Sequence, residues 1–122
     1  MKRVLDVGNC SVDHAAVRRL IESGFEAEIE QAHGPDDTLE ALRAKPFDLV
    51  LINRKLDRDY SDGIEIVKQI KADPQVSAVP VMLLTNYPEH QQAAVAAGAE
   101  PGFGKLEFPK PETRERLSRF LA

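Results

Sequence analysis

The chain has 122 residues, enough for one compact domain over residues 1–122 and too few for two of ordinary size. Hydrophobic residues make up 43% and charged residues 30%, which indicates a globular protein rather than a disordered one. No apolar stretch approaches the roughly 20 residues of a membrane-spanning helix. The formal net charge of −4 argues against nucleic-acid binding through bulk positive charge.

The cysteine content and the first residues predict where the protein resides. A single cysteine, Cys10, excludes an intrachain disulfide, so a reducing compartment is the simplest interpretation. The first three residues lead directly into a short strand-like segment, and a secretory signal is therefore not expected. We expect a cytoplasmic protein without membrane attachment.

Short apolar runs alternate with segments of helical periodicity along the whole chain. The predicted strands, in chain order, are residues 3–7, 25–30, 47–52, 79–84 and 102–104. The helices between and after them begin at Ser11 or Asp13, Gly34, Gly63, Pro88 and Pro111. Residues 25–30 alternate apolar and acidic side chains, which is typical of an edge strand, whereas residues 47–52 are apolar on both faces, as in the middle of a parallel sheet.

Five strands that alternate with five helices predict a parallel sheet with right-handed crossovers and helices on both faces. Ligands of such sheets bind at the carboxyl ends of the strands, near the point where the strand order reverses. The chemistry is therefore expected in the loops that follow the strands, at Gly8–Cys10, after Ala32, at Asn53–Lys55, at Thr85–Asn86 and at Lys105.

Nearly the whole chain resembles the receiver domain of bacterial two-component response regulators. The segments that carry the resemblance, by their order and spacing, are Val4–Val7, Phe47–Asn53, Asp62–Gly63, Pro80–Thr85, and Gly98–Ala99 leading to Lys105. The resemblance implies a flavodoxin-like (βα)5 fold with a five-stranded parallel sheet of order 2-1-3-4-5. The edge character of residues 25–30 agrees with that order.

The resemblance also implies a phosphorylation site, but three of its positions depart from the family pattern. Family receivers accept a phosphoryl group from a histidine kinase on an aspartate after the third strand, and two acids after the first strand help to hold Mg2+. Thr85 and Lys105 match the family's Thr/Ser and Lys, whereas Asn53 occupies the acceptor position and Gly8 and Asn9 occupy the acidic pair. An amide is a poor nucleophile, and phosphoryl transfer depends on the metal ion. We therefore predict a pseudo-receiver with weak or absent Mg2+ binding, no other metal site and no enzymatic activity.

Three further departures lie around the same site. Lys105 precedes Leu106 instead of the family's usual proline, so a trans peptide is expected, because a cis bond there would cost about 3 kcal/mol. The aromatic-switch position holds Gly102, so the family's coupling of phosphorylation to an aromatic rotamer has no obvious carrier. The loop from Asn53 to Gly63 is two residues longer than the common family form.

Individual residues admit more than one interpretation. Lys105 lacks its usual carboxylate partner, and Asp6, Asp57 or Asp59 could serve instead. For Asp6, inside a strand, a hydrogen-bonded structural acid is favoured over a replacement metal ligand. Asp57 and Asp59 could act as surrogate phosphoacceptors, although loop acids are usually only solvated. Asn53 could lock one receiver state or simply satisfy the strand end.

The favoured hypothesis is a receiver-like domain of two-component or phosphorelay signalling that acts through protein contacts. Its partner would be a histidine kinase or another signalling protein, contacted through the fourth and fifth helices, and the oligomeric state is left open. One alternative is a working receiver that is phosphorylated on Asp57 or Asp59. Another is a small flavodoxin-like ligand-binding protein, although no glycine-rich phosphate loop follows the first strand. No nucleic-acid binding by these residues themselves is expected.

Overall fold

In the computed structural model, which describes all residues from Met1 to Ala122, five strands alternate with five α-helices. The strands are Lys2–Val7 (β1), Ala27–Ala32 (β2), Leu49–Asn53 (β3), Val81–Leu84 (β4) and Glu100–Phe103 (β5). The helices are Ser11–Gly24 (α1), Pro35–Ala44 (α2), Ile64–Ala72 (α3), Pro88–Ala96 (α4) and Pro111–Leu121 (α5), with a 3-10 turn at Lys105–Glu107. None of the helices combines the length and the apolar character required to span a bilayer.

The five strands form one parallel sheet in the order β2-β1-β3-β4-β5, which confirms the predicted flavodoxin-like arrangement. In β1, Val4 pairs with Ile29 of β2 on one side and with Leu49 of β3 on the other. The helix that connects β1 to β2 (α1) and the helix that connects β2 to β3 (α2) lie on opposite faces of the sheet. The carboxyl ends of β1 and β3 therefore form the crevice in which such sheets bind ligands.

Two hydrophobic clusters lie on opposite faces of the sheet. One cluster packs α2, α3 and α4 against residues such as Leu5, Val50 and Leu83, and the other packs α1 and α5 against Val4 and Leu51. Successive side chains of a strand point to opposite faces, so β1, β3 and β4 contribute to both clusters. The carboxyl end of the sheet thereby rests on strands that are buried on both sides.

The second strand begins two residues later than predicted, at Ala27 instead of residue 25. Phe25 belongs to the end of α1, because its N–H donates to the Ile21 carbonyl at 3.0 Å and its ring lies 5.0 Å from the Arg114 guanidinium carbon. The alternation of residues 25–30 identified an edge strand correctly but did not locate its start. Only β1 pairs with β2, which confirms its place at the sheet edge.

Candidate functional site

The carboxyl end of β1 is closed by a leucine from the β3–α3 loop. Gly8 has a φ of +79°, a left-handed conformation that L side chains rarely adopt. Leu56, which is 2% exposed, packs directly against it. A Cβ placed on Gly8 would lie 2.5 Å from Leu56 Cδ2 and 3.3 Å from Leu56 Cα. The leucine thus fills the space that a side chain at position 8 would need.

Asn53 uses its amide nitrogen to join the end of β1 to this loop. Its Nδ2 donates to the Gly8 carbonyl at 3.3 Å and to the Lys55 carbonyl at 2.7 Å. The Asp57 N–H donates to the same Gly8 carbonyl at 3.0 Å. Because the amide faces two carbonyl oxygens, Asn53 acts as a hydrogen-bond donor at the position that the sequence resemblance matched to the family's acceptor aspartate.

Asn9 and Asp6 form a buried network with the first helix. Asn9 Nδ2 donates to Asp6 Oδ1 at 2.6 Å, and Asp6 Oδ2 lies 2.7 Å from His14 Nδ1. Both Asp6 and Asn9 are fully buried, and Asn9 Oδ1 has no hydrogen-bond partner. Burial raises the pKa of Asp6, while the hydrogen bonds from His14 and Asn9 oppose that change. This is the environment of a hydrogen-bonded structural acid.

Replacing Asp6 with asparagine is expected to stabilise the protein at pH 8. The raised pKa means that the folded state holds the Asp6 proton more tightly than the unfolded state does. Ionised Asp6 therefore destabilises the folded state at pH values above the folded-state pKa of this residue. This destabilisation is progressively lost as the pH falls through that pKa, because Asp6 then becomes protonated. Asparagine retains the geometry, because its oxygen can accept from Asn9 and its nitrogen can donate to His14 Nδ1 when that nitrogen carries no proton.

Urea denaturation of both proteins between pH 8 and pH 4 measures this difference. The increase in the free energy of unfolding caused by Asp6→Asn should be largest at pH 8 and should decrease as the pH is lowered. The matched control is Asp36→Asn, which changes an exposed carboxylate on α2 and should show no such decrease. A gain that stays constant with pH, or a less stable Asp6→Asn variant at pH 8, would contradict the assignment.

Lys105 pairs with an acid on the first helix. Its Nζ donates to Asp13 Oδ2 at 2.8 Å, and this hydrogen bond is the main reason why the pKa of Asp13 is lowered. The prediction of its counterion was therefore wrong, because the first turn of α1 reaches the same edge of the sheet and supplies a closer carboxylate than the candidates Asp6, Asp57 and Asp59. The peptide bond between Lys105 and Leu106 is trans, as predicted.

The long β3–α3 loop is an ordered, hairpin-like segment. Lys55 and Asp62 form an antiparallel bridge, and their side chains make an ion pair of 2.6 Å that lowers the pKa of Asp62. Within the loop, the Leu56 N–H donates to the Ser61 carbonyl and the Tyr60 N–H donates to the Leu56 carbonyl, both at 2.9 Å. These bonds hold Leu56 against the end of β1.

The two loop acids considered as surrogate acceptors face other partners. Both carboxylate oxygens of Asp57 lie 3.3 Å from His33 Nδ1. Asp59 Oδ1 accepts from the Ser61 N–H and hydroxyl, which lowers the pKa of Asp59. Neither carboxylate forms a hydrogen bond or an ion pair with Lys105.

Thr85 is engaged by the loop that follows its own strand. Its hydroxyl oxygen accepts from the Tyr87 N–H at 3.2 Å and lies 3.5 Å from His90 Nδ1. The threonine is 6% exposed. Thr85 and Lys105, which the sequence resemblance matched to the family's Thr/Ser and Lys, are therefore both hydrogen-bonded to groups of this chain.

Gln91 of α4, which sequence reasoning missed, joins β4 to β5. Its Nε2 donates to the carbonyls of Leu83 at 2.9 Å and Thr85 at 3.3 Å, and its Oε1 accepts from the Gly102 N–H at 2.9 Å. The register between the two strands shifts here, and the amide supplies hydrogen bonds that the interrupted ladder lacks. A Cβ at Gly102 would lie 2.4 Å from the Leu83 carbonyl oxygen, so a side chain at this position requires a shift of the backbone.

Comparisons with known proteins identify the family. The sequence pattern described as the response regulator receiver domain matches residues 11–119. The chain belongs to this family. Over 118 residues it is 33% identical to the transcriptional regulatory protein ZraR of Salmonella typhimurium. The aligned region covers 95% of this chain and 24% of that protein. The receiver chain thus spans about a quarter of the length of this relative.

Solved structures show the same fold. The signal receiver domain of the DNA-binding response regulator MerR from Colwellia psychrerythraea 34H has a TM-score of 0.78 and 22% identity, over 98% of this chain and 97% of that one. The receiver domain of the sensor histidine kinase PA1611 from Pseudomonas aeruginosa PAO1, which has a magnesium ion coordinated in its active-site cleft, has a TM-score of 0.70 and 18% identity, over 97% and 92%.

The residues of this receiver do not fit the magnesium site that the family implies. Magnesium takes hard oxygen ligands, and carboxylates provide the charge that holds it. Gly8 offers no side chain, and the amide nitrogens of Asn53 and Asn9 donate to protein oxygens. No group of three or more His, Cys, Asp or Glu side chains is arranged to hold a metal ion. The buried Asn9 Oδ1 is a single neutral oxygen and does not make up a ligand set.

Proposed function

We propose that this receiver domain is a pseudo-receiver, which takes part in two-component signalling through protein contacts and is not phosphorylated at Asn53. The observation that carries the proposal is the packing of Leu56 against Gly8. Loss of an acid alone would leave an open pocket that is available to another group. Here the Leu56 side chain, from the β3–α3 loop, occupies that space. The backbone of position 8 also has a left-handed conformation that suits glycine.

The surrounding hydrogen bonds support the same proposal. A phosphoryl group on position 53 would need a nucleophilic oxygen, whereas the Asn53 nitrogen points at two carbonyls. The oxygens of that group would also need Thr85 and Lys105, whose polar atoms bond to Tyr87 and Asp13. Weak or absent binding of Mg2+ is part of this proposal, as is the lack of enzymatic activity.

The partner would be a histidine kinase or another signalling protein, contacted through α4 and α5. Two features favour this surface: Val95 of α4 is 44% exposed, and a groove beside it is lined by Pro101 and Gly102 of β5 and Arg116 of α5. The Arg116 guanidinium donates to the Gly102 carbonyl and so fixes one wall of the groove. We also propose a cytoplasmic location and no nucleic-acid binding by these residues.

Incubation with acetyl phosphate and Mg2+, followed by intact-mass measurement, tests the proposal. The wild-type chain should gain no phosphoryl group. Asn53→Asp should also remain unmodified, because its carboxylate would face the carbonyls of Gly8 and Lys55 and no acid replaces Gly8. Circular dichroism would establish that this variant is folded.

A phosphorylated wild-type chain would contradict the proposal and favour the surrogate-acceptor alternative. The double variant Asp57→Asn, Asp59→Asn would then test the loop acids as acceptors. Loss of phosphorylation in this variant would place the phosphoryl group on Asp57 or Asp59. His33 lies within 3.3 Å of Asp57 and would compete with an incoming phosphoryl group for that carboxylate. The matched control is Asp36→Asn, on the exposed face of α2.

A further inference from the structure

A cleft of about 200 Å³ lies between the end of β3, the start of α3 and the side of α4. Its apolar lining consists of Ile64 at the start of α3, Leu83 of β4 and Ala93 of α4. Three polar residues complete it: Arg54, Asp62 and His90. The lining therefore combines an apolar surface with a few polar groups, which is the composition of small-molecule sites in proteins.

Arg54 is the cation that lines this cleft. Its side chain forms no ion pair or hydrogen bond within the chain, whereas Lys55 pairs with Asp62 and Lys105 pairs with Asp13. The residue is half-buried, its N–H donates to the Leu84 carbonyl at 3.2 Å, and its carbonyl accepts from Gly63 at 2.7 Å. A guanidinium on this fixed backbone therefore presents five unused donors beside an apolar surface.

Two aromatic rings orient the polar groups before any ligand arrives. The Arg54 guanidinium carbon lies 6.0 Å from the centroid of the Tyr87 ring. The Tyr87 and His90 rings are 5.5 Å apart in a T-shaped arrangement, and His90 Nδ1 lies 3.5 Å from the Thr85 hydroxyl. His90 Nε2 has no partner within the chain. Prior orientation of this kind reduces the entropy that binding would otherwise cost.

Asp62 does not make the cleft repel anions. Its carboxylate is bonded to Lys55 Nζ at 2.6 Å, and that hydrogen bond lowers the pKa of Asp62. The ion pair is formally neutral. The lining is consequently left with the positive charge of Arg54, next to an imidazole that can donate or accept.

We propose that this cleft binds a small organic carboxylate with a flat apolar body the size of a single aromatic ring. The body would pack on Ile64, Leu83 and Ala93, and the carboxylate would accept hydrogen bonds from the Arg54 fork. Such a ligand would contact both the β3–α3 loop and α4. Binding of such a ligand would regulate the domain without phosphorylation. Such binding would not depend on whether another residue of the chain is phosphorylated.

Titration of the 122-residue chain with benzoate, followed by amide NMR shifts, tests the proposal. Saturable shifts are expected at the residues of the cleft, with a dissociation constant of about 1 mM. Benzamide has the same shape without the charge, and acetate has the charge without the ring, so both should bind at least tenfold more weakly.

Two variants separate the cleft from general charge effects. Arg54→Gln should weaken benzoate binding at least tenfold, because the carboxylate loses its bidentate partner. Arg58→Gln removes an exposed cation of the same loop that does not line the cleft, and it should leave binding unchanged. Equal binding of benzoate and benzamide, equal effects of the two variants, or the absence of saturable shifts at the cleft would each overturn the proposal.

Discussion

Replacing Gly8 with alanine is expected to lower the free energy of unfolding by about 2–5 kcal/mol. The left-handed backbone at φ +79° costs an L residue roughly 1–2 kcal/mol. The new methyl group would also meet Leu56 Cδ2 at 2.5 Å, and such overpacking adds about 1–3 kcal/mol after partial relaxation. Urea denaturation monitored by circular dichroism gives the change directly.

Gly34→Ala is the matched control for this substitution. Gly34 precedes α2 with an extended backbone, and no other atom would lie within 4 Å of its new Cβ. Its replacement should change the stability by less than about 1 kcal/mol, since the main effects are at the helix cap and in the unfolded chain. Equal losses for the two variants would show that Leu56 does not confine position 8.

Replacing Gln91 with alanine is expected to lower the free energy of unfolding by about 1–3 kcal/mol, because the buried Gly102 N–H loses the Gln91 Oε1 acceptor. The carbonyls of Leu83 and Thr85 lose a donor in the same step. The substitution should lower the global stability and also weaken the structure around Gly102. Hydrogen exchange of the Gly102 amide should accelerate at least tenfold, as the connection between α4 and β5 is removed.

Gln92→Ala provides the comparison within the same helix. Gln92 is exposed and makes no side-chain hydrogen bond, so its replacement should leave both stability and Gly102 exchange nearly unchanged. If Gln91→Ala also left stability and Gly102 exchange unchanged, the Gln91 side-chain amide would not stabilise the connection between β4 and β5. The position of α4 would then depend on apolar packing alone.

The layout of the fold could be predicted because each element carries its own local signal. Residues 47–52 are apolar on both faces, and Leu49 to Ile52 are indeed fully buried in the middle of the sheet. The start of β2 could not be located in this way, because Phe25 satisfies the apolar alternation and the end of α1 equally well. The order of the strands came from the family resemblance, since periodicity does not specify which strands pair.

The composition of the site was predictable, but several of its contacts were not. Gly8 and Asn53 were expected at one edge of the sheet, and a hydrogen bond between them joins the two strands. The partner of Lys105 depends on side-chain reach across 92 positions of sequence, which no local pattern records. Leu56 did leave a signal, as the one aliphatic residue among the polar groups between Asn53 and Gly63. Gln91 left none.

The contact between Leu56 and Gly8 also bears on how such a chain could change over evolutionary time. An aspartate at position 8 would enter a space that is already full, whereas shortening Leu56 first would open a void costing about 2–5 kcal/mol. Either single step passes through a weakened protein. An acidic side chain at position 8 would therefore require changes at both positions, and either order of those changes passes through a less stable protein.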